Sequence, residues 1–199
     1  MKRKVFAVAL AVSAIAAQAQ VAEPSKFGFV GALGINSGGD TLVKGQYTNG
    51  EPFSIKAGNG VLLSFGMTYA LNPSVDLQGT VGIESDSTNA SNGSIKFDRM
   101  PIEALAFYNF SDKYRLGGGF RSATGAKLSS SGVASGLNAD LNAGVGVVLE
   151  GQYMLGSKNS ASRFHPALYL RYVSEKYTSP QTNESINGNH LGLGVAVYF

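Results

Sequence analysis

The sequence contains no cysteine, which excludes a disulfide scaffold, a thiol nucleophile, a thiolate metal site and any Cys-linked cofactor. Charge is scarce as well: 15% of the 199 residues are Asp, Glu, Lys or Arg, against about 25% in an ordinary soluble domain. Long hydrophobic runs are missing. The longest, Val5 to Ala17, falls well short of the roughly 20 residues that a bilayer-crossing helix needs. No amphipathic helical stretch of comparable length competes with the strand-like pattern described below, so a chain of this kind enters a membrane as strands or not at all.

Glycine is abundant instead, with 26 residues against a usual share of about 7%. The short apolar run follows Lys2, Arg3 and Lys4 and ends in Ala17-Gln18-Ala19, the layout of a secretory signal peptide. The expected organisation is therefore a signal peptide over residues 1–19 and one domain over 20–199. The net charge of +3 belongs to the three bases of that leader. The remainder carries 13 basic and 13 acidic residues and is neutral, which removes the main support for nucleic acid or another polyanion as partner.

Period-two alternation runs through the rest of the chain. Phe27, Phe29, Leu33 and Ile35 alternate with Gly28, Val30, Ala32 and Gly34. Val61, Leu63, Phe65, Met67 and Tyr69 oppose Leu62, Ser64, Gly66, Thr68 and Ala70. Further strands are expected over about 75–84, 99–110, 114–121, 137–155, 164–177 and 191–199. Eight strands result, an even number, with connections that alternate in length. The long ones, about 36–60, 85–97, 123–136 and 174–190, are rich in Ser, Gly, Asn and Thr. The short ones include Asn72-Pro73-Ser74, where Pro fixes φ for a tight turn, and Ser111-Asp112-Lys113.

Alternation alone does not orient the faces, because a soluble eight-stranded barrel alternates too, with its apolar residues inside. Here the polar face carries small residues and charges of both signs: Asp76, Glu84, Arg99, Glu103, Arg115, Arg121, Asp140, Glu150, Arg171 and Glu175. These suit a narrow lumen in which opposite charges neutralise each other. A turn centred near Asp112 places Glu103 opposite Arg121. The apolar face gathers Phe27, Tyr69, Tyr108, Phe110, Tyr114, Tyr153, Phe164 and Phe199 beside the short turns, as an interfacial girdle would. The fold class expected is all-β, an eight-stranded antiparallel up-and-down transmembrane barrel.

The ending, with Leu193, Val195 and Val197 at every second position before a terminal Phe199, resembles the carboxy-terminal assembly signal of bacterial outer-membrane barrels. The whole layout resembles the small outer-membrane β-barrel family that includes OmpX, Ail, OmpW and the membrane domain of OmpA. The resemblance implies an outer-membrane location in a Gram-negative cell surface, lipid and lipopolysaccharide as surroundings, the barrel-assembly machinery as a partner during biogenesis, and a host or surface ligand met by the loops. It also implies a structural or surface-interaction role with a plugged lumen, the alternatives being a narrow channel for small or apolar solutes and a lipid A-modifying enzyme. For the enzyme, His165 and His190 are the only candidate bases. The deacylase-like pairing of His with Ser two residues on is absent, because Gly192 occupies that place, and no catalytic site, metal or cofactor is expected. In the first long connection Lys44, Tyr47, Phe53 and Lys56 form the nearest approach to a contact patch.

Overall fold

A computed structural model describes residues 26–47, 49–156 and 163–199; the expected signal peptide lies outside these residues. Thirteen strands follow one another among the described residues. Eight of them form the barrel wall: β1 (Phe27–Gly38), β4 (Gly60–Asn72), β5 (Val75–Ala90), β6 (Gly93–Asn109), β7 (Tyr114–Gly132), β9 (Val145–Met154), β10 (His165–Ser174) and β13 (His190–Tyr198). Each pairs antiparallel with its neighbour, and β1 pairs with both β4 and β13, so the sheet closes on itself. Closure leaves no edge, which is the condition for a sheet to stand in lipid. The seam runs from Val30↔Tyr198 to Gly38↔His190 and is fastened by reciprocal backbone bonds between Phe29 and Phe199, of 2.6 and 3.0 Å.

The wall settles which face is which. Leu33, Ile35, Leu63, Phe65, Ile83, Ile102, Phe120, Leu170 and Leu193 are each more than half exposed on the outside, whereas Glu84, Arg99, Arg121 and Glu175 are buried inside. A soluble barrel reverses this arrangement. Leaving so much apolar side chain in water would forfeit roughly 1.5–3 kcal/mol for each large residue, and lipid removes that penalty.

Several strands are longer than the apolar alternation suggests, while those expected over 137–155 and 164–177 are interrupted after 143 and 174. β5 and β6 continue through the Ser- and Asn-rich stretch around 85–97 and turn at 91–92, and β7 runs on to Gly132. Above the membrane no apolar outer face is required, so the ladder proceeds with polar partners such as the Ser94 and Ser131 hydroxyls, 2.9 Å apart. The first long connection holds a hairpin of its own, β2 (Thr41–Gln46) with β3 (Pro52–Lys56). β8 (Ala139–Ala143), β11 (Lys176–Thr178) and β12 (Ser185–Asn187) extend the wall beside β7.

Two bulges change the facing of one part of this extension. The β6–β7 register slips between Asp98↔Lys127 and Met100↔Thr124, with Gly125 at φ 61°, a left-handed conformation that costs an L side chain strain. Gly144 separates β8 from β9 and donates its N–H to the Lys176 carbonyl at 2.9 Å. Past these points Ala126, Leu128 and Leu141 turn inward. They pack with Ile55, Ala57, Ile95, Phe97, Ala123 and Tyr177 into an apolar cluster at the outer end of the barrel.

Candidate functional site

Four buried arginines face five buried carboxylates inside the barrel among the described residues. Inward positions on neighbouring strands recur at every second residue, so a charged side chain on β5, β6, β7 or β10 reaches across a lumen only a few side chains wide. Arg121 on β7 is the hub. Its Nε donates to Glu175 at 2.9 Å, its Nη1 to Glu103 at 3.0 Å and its Nη2 to Glu84 at 2.5 Å. Glu103 stands directly opposite it in the β6–β7 register.

Each of those carboxylates is held a second time. Glu84 also accepts from Arg99 Nη2 and from Asn36 Nδ2, each at 2.5 Å. Glu103 accepts from Arg171 Nη2 at 2.7 Å, and Arg171 Nε lies 3.4 Å from Glu150. Glu175 accepts the Tyr177 hydroxyl at 2.7 Å. Burial pushes the Tyr177 hydroxyl's pKa upward, with the neighbouring Glu175 carboxylate acting in the same direction, so it stays a donor at any ordinary pH. The planar, always-charged guanidinium suits such multivalent contacts better than an ammonium would.

A second group lies toward the short turns. Arg115 donates to Gln152 Oε1 at 2.7 and 2.9 Å and sits 3.4 Å from Asp76. Its guanidinium is sandwiched by Phe107 and Tyr198, 4.4 and 4.2 Å from the ring centroids, an arrangement favourable to a desolvated cation. Gln78, Gln152, Tyr169, Tyr198 and Asn36 complete the lining. These uncharged residues share the inward parity of the charged ones, and that parity is the signal by which the sequence could have named them.

Asp140 stands apart and corrects the reading that placed it in the lumen. It is exposed, its carboxylate 4.0 Å from the equally exposed Lys127, while Leu141 points inward. Period two carried across Gly144 assigns these two residues the wrong way round, because the bulge inserts one residue and inverts the faces beyond it.

Outside, the aromatics beside the short turns meet in pairs: Phe27 with Tyr69 at 4.8 Å, Tyr108 with Phe110 at 5.0 Å, Tyr114 with Tyr153 at 5.1 Å and Phe164 with Phe199 at 6.1 Å. Phe29 and Phe65 also pack on Phe199, at 6.1 and 6.3 Å. Leu193, Val195, Val197 and Phe199 alternate outward with the inward Ala196 and Tyr198.

The two histidines lie at opposite ends of the β10–β13 pair, where His190 is opposite Val173 and His165 opposite Tyr198. They therefore cannot act together. His190 is buried, with Nδ1 2.8 Å from the Gly188 carbonyl.

A closed antiparallel barrel with an apolar outer band, an aromatic belt at one rim and a charged interior defines a transmembrane β-barrel. Residues 7–199 match the outer membrane protein beta-barrel domain. The chain belongs to that family, and its place is the bacterial outer membrane. Among solved structures it is similar to Ail, the attachment invasion locus protein of Yersinia pestis, in complex with the heparin analogue sucrose octasulfate. That match has 10% identity, a TM-score of 0.44, and covers 87% of this chain and 97% of that one. It is also similar to the outer membrane protein OprG of Pseudomonas aeruginosa, with 9% identity, a TM-score of 0.40, and coverage of 88% and 96%. No curated protein matches the sequence.

Proposed function

We propose that this outer-membrane barrel is a non-conducting scaffold that presents its extended outer end for interaction at the cell surface. The observation that supports the reading is Arg121, whose guanidinium spans the lumen to carboxylates from three separate parts of the wall, at Glu84, Glu103 and Glu175. Displacing it would take a shared cation from all three in a low-dielectric interior, most severely from Glu175, at a cost of several kcal/mol. The apolar cluster around Phe97 and Tyr177 stands over the same passage as a second obstruction.

The test is planar-bilayer recording of the refolded protein. No discrete conductance steps are expected from the wild type, while Arg121→Ala combined with Phe97→Ala should produce them. Steady stepwise conductance of the wild type would refute the reading and favour a narrow channel.

A further inference from the structure

A cleft of about 360 Å³ opens at the outer rim between the β2–β3 hairpin and the turn joining β5 to β6, within the size range of small-molecule sites of about 300–1,000 Å³. Two aromatic rings form one wall. Tyr47 and Phe53 lie with centroids 5.0 Å apart, tilted by 47°, and each is held by a neighbour. Phe53 crosses the hairpin directly over Gly45, its register partner, where a Cβ would meet the ring at 2.6 Å. The Tyr47 hydroxyl is hydrogen-bonded to the Thr88 hydroxyl of β5. The rings are thus held in place before any ligand arrives, which lowers the ordering cost of binding.

The remaining lining is uncharged. Gln46 and Asn92 contribute amides, Ser91 and Ser94 hydroxyls, Ile95 a buried apolar floor, and the exposed Val133 further apolar lining. Lys44 and Lys56, on the same hairpin, do not line the cleft, and the nearby Lys96 is paired with Asp98 at 2.9 Å. Aromatic faces flanked by amides and hydroxyls, with no ion to attract or repel, match a ligand with apolar C–H faces and many hydroxyl groups. We propose that this cleft binds a neutral oligosaccharide, the sugar rings lying on Phe53 and Tyr47 and their hydroxyls exchanging hydrogen bonds with Gln46, Asn92 and Ser94. The assignment rests on the reading of the outer end as an interaction surface.

Saturation-transfer NMR on the detergent-folded full chain tests it, with maltohexaose and chitotriose as neutral probes and dextran sulfate as the anionic control. Saturable transfer to at least one neutral probe is expected, with Phe53→Ala weakening binding by tenfold or more. Tyr47→Ser serves as an independent variant with the same expectation, and the heat-dependent gel mobility of a folded barrel checks both. No transfer to either neutral probe, tighter binding of dextran sulfate, or unchanged affinity in both folded variants overturns the proposal. Failure of sugar binding in a protein that stays silent in bilayers removes this assignment alone; conductance in a sugar-binding protein removes the non-conducting reading alone.

Discussion

Replacing Arg121 by Met removes the charge that three carboxylates share, and the structure predicts how unequally they suffer. Glu84 retains Arg99 at 2.5 Å and Glu103 retains Arg171 at 2.7 Å. Among the described residues Glu175 retains the Tyr177 hydroxyl and a His190 nitrogen 3.8 Å away. Removing one partner of a buried pair costs roughly 3–5 kcal/mol, so Arg121→Met belongs at or above the upper end of that range. Glu103→Gln should cost less, near the lower end, because Arg121 keeps two other carboxylates. Adding Glu175→Gln to Arg121→Met should recover about 1–3 kcal/mol, the size of coupling expected for direct contact, and more than adding Glu103→Gln recovers. Urea unfolding in lipid vesicles, followed by circular dichroism and gel mobility, measures the wild type, the single variants Arg121→Met, Glu103→Gln and Glu175→Gln, and the two doubles. Strict additivity of Arg121→Met with both carboxamide changes would refute the reasoning, since it would mean that the short contacts carry no energy.

The bulges at Gly125 and Gly144 make a second prediction at adjacent positions: Leu141→Ala should destabilise by about 2–5 kcal/mol as a core truncation, whereas Asp140→Ala should stay within about 1 kcal/mol, as expected for an exposed ion pair. Equal effects in the same urea assay would show that the faces are not inverted there. Deleting Phe199 removes a ring that contacts Phe29, Phe65 and Phe164, a burial of about 1.5–3 kcal/mol. Refolding in vitro should therefore survive with modest loss, while outer-membrane yield in cells falls severely if the terminal residue is read during assembly. Normal surface levels would sink the assembly role.

The parts of the fold legible in the sequence are those where lipid imposes a pattern. In β1, β4 and β13 large apolar residues face outward at every second position, Gly31 excepted, and their alternation is visible as such. The pairing of Glu103 with Arg121 follows from a turn centred near Asp112, because a tight turn fixes register. Above the membrane that constraint disappears. The upper halves of β5, β6 and β7 read as Ser- and Asn-rich loops although they are regular ladder. A glycine bulge leaves no side-chain trace, so unbroken period two places Asp140 and Leu141 on the faces opposite to those they occupy. The rim cleft is still harder to foresee. Tyr47 and Phe53 stand out as a contact patch, but Thr88, Asn92 and Val133 come to them only through strand extension.

The length of β7 has a consequence for what meets this protein from outside. Nineteen residues at about 3.3 Å each span roughly 60 Å, and a tilt of about 40° leaves a rise of some 45 Å, against an apolar band about 25 Å tall. Some 20 Å of wall therefore rises beyond the hydrocarbon as a rigid, internally packed turret. The rim is lifted clear of the lipid headgroups by folded backbone rather than by flexible chain, so it holds a constant altitude. Large ligands gain access according to how tall the neighbouring surface polymers are, and shortening the β5–β6 hairpin would lower that altitude without touching the part embedded in lipid.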